Sequence, residues 1–246
     1  MRHPRTFVSL LFLAWAATAA AALEPKDVVA AADAIRFPNE AFQVSVTVTS
    51  TTAAGSPELH EYQVLQSGHD KSVVRTLKPA SEAGQVMLLR GADLWVFLPE
   101  VSQPVRLPLS QRLTGQVANG DLARANFAGD YEANFLRDEA VEGKQCVVLE
   151  LTAARSGVTY HRVLYWVEKN TNKPVKAEFY TRSKRLMKTG FYSDFKELGG
   201  KIRPTKLILI DALKKGEKSV LIYSNLKVRA IPEKFFTKDF LRKLKD

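Results

Sequence analysis

A chain of 246 residues, 46% of them hydrophobic and 25% charged, is long enough to bury the core of one large domain. Its formal net charge of +10 raises nucleic acid as a partner, but no reader motif accompanies the charge and nucleic acid is excluded. The one cysteine, Cys146, excludes an internal disulfide, so stability has to come from packing.

Residues 1–22 carry the three parts of a secretory signal: Arg2 and Arg5, an apolar run over 8–17, and the small residues Ala20, Ala21 and Ala22. The run gives way after Leu23 to Glu24, Lys26 and Asp27, which favours cleavage near Ala22 over a retained anchor. No cysteine follows at once to take a lipid anchor. The expected mature chain is a soluble single domain, residues 23–246, in the bacterial periplasm; loss of two arginines brings its formal charge to +8.

Residues 24–35 read as a helix, with Pro25 in the first turn, Asp27 at the positive helix end, and Val28, Val29, Ala32 and Ile35 on one face. Pro38 and Asn39 stop it. Phe42, Val44, Val46 and Val48 then alternate with polar residues, the pattern of a strand with one wet face. Similar runs follow at about 59–67, 71–77, 85–90 and 94–98, separated by glycine-containing turns.

The stretch 94–131 breaks this rhythm. Pro99, Pro104 and Pro108 remove ladder donors, and 115–129 has neither a period of two nor a sustained period of 3.6. It keeps Leu113, Val117, Leu122 and Phe127, which argues against disorder and predicts an ordered flap with short helical turns. Strands resume at about 131–141, 144–153, 159–168, 174–182, 185–192, 204–212 and 218–228. Residues 232–244 predict a helix with an apolar stripe of Phe235, Phe236, Phe240, Leu241 and Leu244. The fold class is mainly β: one antiparallel sheet of about eleven strands, open or partly closed, with few helices.

No nucleophile elbow, P-loop, dinucleotide fingerprint or H-E-x-x-H is present. His60, His69 and His161 lie on separate elements. No catalytic residue, metal ligand or cofactor is therefore expected, and the protein does not read as an enzyme. Several strands are apolar on both faces, as at 146–151, 163–167 and 207–210, and Cys146 in such a run reads as buried and inert. Two helices and a flap are little cover for that much sheet. The pattern predicts a cavity walled by Trp95, Phe97, Phe179 and Tyr223, with Leu113, Phe127 and Tyr131 supplied by the flap and its exit. Basic residues gather late, with Arg182, Lys184, Arg185 and Lys188 around one hairpin. They read as a solvated rim or as a face for anionic lipid headgroups or an acidic partner.

The order of these elements, with L-W-V-F-L-P at 94–99, S-Q-R-L-T-G at 110–115, G-D-L at 120–122, N-F-A-G-D-Y at 126–131 and Y-S-D-F at 192–195, resembles the outer-membrane lipoprotein-sorting protein family of the LolA-like superfamily. The segment 116–122 departs from the glycine-serine-aspartate pattern of many relatives. The resemblance implies an incomplete β-barrel whose concave face is covered by helices and the flap and holds a lipid, acyl chain or lipoprotein anchor. It also implies transport toward the outer membrane beside an exporter of the RND superfamily. A periplasmic sensor that binds lipid or mislocalised lipoprotein is the alternative. Burying one acyl chain of about 14 to 16 carbons would supply about 10 kcal/mol before ordering costs.

Overall fold

The computed structural model describes residues 24–52, 55–101, 103–124 and 126–243. The expected signal segment and Leu244 of the C-terminal stripe lie outside the described residues.

Helix α1 (Pro25–Arg36) opens the described chain, with proline in its first turn and Val28, Val29 and Ala32 buried. It ends where Phe37 turns to an extended backbone ahead of Pro38. Strand β1 (Phe42–Thr51) buries Phe42, Val44, Val46 and Val48 and leaves the alternate residues half-buried, as period-two patterning requires. Five strands follow: β2 (Glu58–Ser67), β3 (Lys71–Lys78), β4 (Val86–Arg90), β5 (Asp93–Phe97) and β6 (Val105–Leu107). A crossing segment then holds the small hairpin β7 (Arg112–Thr114) and β8 (Val117–Ala118) and two short helices, α2 (Asn119–Ala123) and α3 (Phe127–Asp130).

A second run of strands comprises β9 (Tyr131–Val141), β10 (Lys144–Ala153), β11 (Arg162–Glu168), β12 (Pro174–Tyr180), β13 (Leu186–Leu198), β14 (Lys201–Asp211) and β15 (Lys218–Val228). β15 pairs with β1 along its length, Phe42 opposite Val228 and Thr51 opposite Lys218. The two runs thereby form one thirteen-stranded antiparallel sheet, in the order β6-β5-β4-β3-β2-β1-β15-β14-β13-β12-β11-β10-β9. It is a curved, incomplete barrel whose edges are β6 and β9.

One face of the sheet, called inner here, packs against α1 and the crossing segment. Its residues, from Leu94 and Val96 through Val74, Val46, Leu221 and Tyr192 to Leu149, form a single buried cluster with Val29, Ala32, Val117, Leu122 and Phe127 of the cover. The outer face carries two separate clusters. One gathers Cys146, Val148, Leu164 and Trp166. The other sets Leu65, Leu88 and Phe97 against Ile231, Phe236 and Leu241. Cys146 is buried and unpaired, and burial pushes its thiol pKa up.

Three expectations change. The sheet has thirteen strands rather than about eleven, 105–107 adding an edge strand outside the expected runs, and β13 and β14 are longer than expected, running on to meet at Gly199 and Gly200. That glycine pair, both at positive φ, is the turn signal that the patterning of 193–203 obscured. The C-terminal element is not one helix: a 3₁₀ turn (Glu233–Phe236) breaks at Thr237, whose backbone is extended, before α4 (Lys238–Lys243). Finally, this element covers the outer face of β2 to β5, so it is not part of the inner cover.

Arg203 fixes α1 to the sheet. Its buried guanidinium donates from Nη1 to the carbonyls of Ala34 (2.9 Å) and Ile35 (3.1 Å) and from Nε to that of Leu198 (3.1 Å). The first two belong to the last turn of the helix, where carbonyls lack intrahelical partners and a cation is favoured. Arg203→Met should lower unfolding free energy by about 2–4 kcal/mol, since buried carbonyls lose a charged donor, and should expose α1 to proteolysis. Urea denaturation with limited proteolysis checks both, and an unchanged midpoint would refute this anchoring role.

Candidate functional site

The inner face is a long apolar surface closed by two covers of different construction. Helix α1 touches α3 and the strands β9, β11, β12 and β14. Its polar tie is Asp33, whose Oδ2 accepts the Ala128 backbone N–H at 2.8 Å and whose Oδ1 accepts Arg36 Nη1 at 3.1 Å. The Arg36 guanidinium lies 4.6 Å from the Phe127 ring centroid and 5.6 Å from that of Tyr192, so the ion pair is sandwiched among aromatic faces. Burial dominates at Asp33 and pushes its carboxyl up to about 6, against the opposing pull of Arg36 and the Ala128 and Phe127 backbone.

The crossing segment is pinned at three places. Its hairpin turns at Gly115, at φ +49°, where an added Cβ would sit 2.0 Å from Ser50 Oγ and 2.4 Å from Ser219 Oγ. Only glycine permits both that backbone and that approach. The two serine hydroxyls are 2.8 Å apart, and Ser219 Oγ accepts the Gln116 N–H at 2.8 Å. At the second place, Lys188 on β13 points inward and donates to Asp121 Oδ2 at 2.8 Å and to the Gln116 carbonyl. Asp121 also accepts the Tyr160 hydroxyl (2.7 Å) and, at 2.8 Å, the Ala118 N–H that begins α2. Burial lowers the Lys188 pKa while Asp121 opposes the fall. At the third, Ser72 Oγ donates to the Ala123 carbonyl at 2.7 Å, holding α2 to β3.

Beneath these covers little space is left. The void enclosed by Phe37, Val44, Val64, Leu122 and Tyr223 measures about 10 Å³, no more than one water's worth. Toward the β9 edge the inner face is open. A cleft of about 490 Å³ lies between the start of α1 and β9–β10, floored by Val28, Phe135, Val147 and Leu149 and rimmed by Asp138, Lys169 and Asn172. Phe135 is 56% exposed there. α1 begins at this cleft, with no side-chain cap among the described residues.

A family model described only as an uncharacterized protein matches residues 68–243. A solved LolA superfamily protein from Nitrosomonas europaea is 51% identical, with 89% of this chain and 100% of that one covered at a TM-score of 0.85. The chain belongs to the LolA superfamily. The fold also recurs, at TM-score 0.75 and 22% identity, in an outer membrane lipoprotein-sorting protein domain from Vibrio parahaemolyticus, covering 89% of this chain and 98% of that one. A DUF1329 family protein from Desulfovibrio piger matches at the same TM-score and identity, over 88% and 97%. No curated protein sequence matches the chain.

In this LolA-superfamily chain the seven residues expected to form the cavity divide between two faces. Phe127, Tyr131, Phe179 and, partly buried, Leu113 and Tyr223 belong to the inner cluster. Phe127 meets Tyr131 and Tyr165 edge-on at 5.7 and 5.3 Å between ring centroids, and Phe179 packs on Tyr160 at 4.4 Å. Trp95 and Phe97 are corrected: they face outward beneath the C-terminal segment, with Lys238 Nζ 3.7 Å from the Trp95 ring centroid. On β5 the inward residues are Leu94 and Val96; the alternation was right and the face reversed. Lys188, expected in a solvated basic rim, is buried in the tie to Asp121. The polar ties Asp33, Asp121, Lys188 and Arg203 were not foreseen. Lys188 shares strand parity with Gly190 and Tyr192, a signal that was present but easily overruled by its charge.

The Asp33 tie carries a pH signature. The folded protein binds this proton more tightly than the unfolded chain does, so stability falls as pH rises from about 4 to about 6, by at most about 3 kcal/mol, and is level above. Asp33→Asn should remove that component. Urea melts of both proteins at pH 4 and pH 7 test it; a wild-type-to-variant difference independent of pH would mean that Asp33 titrates as an ordinary carboxylate.

Proposed function

We propose that this protein is a periplasmic carrier or binding protein for an acyl chain, as part of a lipid or a lipoprotein anchor. The observation that carries the reading is the open cleft at Phe135, Val147 and Leu149, where the apolar inner face meets solvent. Its volume of about 490 Å³ falls in the range of small-molecule sites, about 300–1,000 Å³. The enclosed void is too small for a chain, so a longer ligand has to displace α1 or the crossing segment. Those covers are held by apolar packing and a few polar ties rather than by a further layer of sheet, which suits a carrier that must also release its cargo. One buried polar atom agrees: the Tyr62 hydroxyl has no hydrogen-bond partner among the described residues, a cost of about 1–3 kcal/mol that an opened chamber would relieve.

The membership in the LolA superfamily and the likeness to a lipoprotein-sorting domain support this ligand class. Removal of the signal read from the composition of residues 1–22, and delivery toward the outer membrane with an RND-superfamily exporter as partner on the strength of the sequence resemblance, complete the proposal. Binding and release need no covalent chemistry.

Phe135 gives a test that does not confound binding with folding, because its side chain is exposed on an edge strand. Phe135→Asp should leave urea stability within about 0.5 kcal/mol of wild type and reduce lipid retention about tenfold. Native mass spectrometry of gently purified proteins reads the bound fraction. Wild-type protein that is uniformly empty, and stays empty when offered lipid, would sink the carrier reading.

A further inference from the structure

Beyond the apolar cleft, the end of the sheet formed by the β10–β11 and β12–β13 connections carries three adjoining clefts. The largest, about 620 Å³, is walled by residues 153–161 together with Ser110, Tyr180, Thr181, Arg182 and Met187, and no carboxylate lines it. It shares Ser110, Tyr160, Thr181 and Met187 with a cleft of about 190 Å³ that reaches Arg112, Arg185 and Lys188. On the other side it shares His161, Thr181 and Arg182 with one of about 320 Å³ that reaches Arg162 and Lys184. The three make one groove.

The charges in this groove are unbalanced in a specific way. Arg155, Arg162 and Lys188 are taken up by Asp130, Glu150 and Asp121. Arg112, Arg182, Lys184 and Arg185 form no ion pair among the described residues. Asp211, the one carboxylate on the 190 Å³ wall, is engaged by its own turn, Oδ1 accepting the N–H groups of Leu213 (2.7 Å) and Lys214 (2.9 Å), and it also feels the nearby Arg112 charge without forming an ion pair with it. Hydroxyls line the same walls at Ser110, Ser156, Thr159 and Thr181. Guanidiniums without an ion pair beside several hydroxyl donors, in a concave wall whose two carboxylates, Asp211 and Glu150, are already engaged, match a group with many acceptor oxygens and negative charge. A flat acidic protein surface would meet only the rim.

We propose that this groove binds a phosphate group, the polar half of the amphiphile whose chain occupies the inner face. The inference rests on the carrier reading for the source of the phosphate. Geometry allows the two halves to belong to one molecule. β10 contributes Leu149 to the apolar cleft and Ala153 to the groove, a separation of about 13 Å along the strand.

The test uses the full mature chain, an Arg182→Gln/Arg185→Gln double variant, and a Lys201→Gln/Lys227→Gln variant with the same loss of charge elsewhere. Calorimetry with inorganic phosphate and flotation with phosphatidylglycerol or phosphatidylcholine vesicles provide the probes. The groove variant should bind at least about tenfold more weakly than wild type, with the control variant unchanged. Groove-dependent binding of inorganic phosphate alone supports the site with free phosphate as its source. Groove-dependent binding of phosphatidylglycerol vesicles supports it with a lipid headgroup as the source. Equal weakening in both variants would reduce the effect to diffuse charge and overturn the proposal, as would wild-type protein that binds neither probe. Phe135→Asp should retain phosphate binding, so failure of the chain site and failure of the groove register in different measurements.

Discussion

The pairing of β15 with β1 is the constraint on which this molecule turns. It joins residues 42–51 to 218–228, and so fuses two separate meanders into one sheet. Once they are fused, β6 and β9 stand at opposite edges although only 23 residues separate them in the chain. The connection between them has to travel across a face of the sheet. A long structured connection is therefore a topological necessity before it is a functional device, and its apolar residues are what make that route favourable.

That route explains the unusual polarity of the interior. A second sheet would cover the inner face with hydrogen-bonded backbone. A winding segment with helices of five and four residues brings backbone groups that side chains have to satisfy. Ser219, Lys188, Asp121, Ser72 and Asp33 do so, each from a different element. Ion pairs in such surroundings add little net stability because desolvation offsets attraction. What they add is register, since each tie tolerates one placement of its partner. The cover is thus specified in position without being welded in energy, and α1 is secured at its C-terminal end by Arg203 while its start lies at the open cleft.

The outer face follows a different rule. It is closed by what the chain has left over: the C-terminal turn and α4 over β2 to β5, and long side chains over the aromatic patch at Trp166. There Lys176 Nζ lies 4.2 Å and the Arg137 guanidinium 5.8 Å from the ring centroid, so amphipathic stems act as a roof. Cys146 packs in the same cluster, where burial raises its thiol pKa. The two faces consequently divide the work: one is sealed by local packing, and the other is closed by elements that are tied at points.

The sequence by itself determined the period-two strands, the N-terminal helix, the absence of a disulfide, and the fact that 94–131 had to be ordered yet could not be strand throughout. These are local properties: alternation, proline's missing donor and the spacing of apolar residues act within a few positions. It also placed Phe127, Tyr131, Phe179, Tyr223 and Leu113 together, because an apolar residue in a polar context has to be buried somewhere. Only the tertiary structure decided which face each strand turned inward. Alternation is symmetric about the sheet, and that symmetry put Trp95 and Phe97 on the wrong side. Pairing partners far apart in the chain decided the rest: Lys188 became a buried tie because Asp121 arrives opposite it, and the cleft at Phe135 lies where the start of α1 meets β9 and β10.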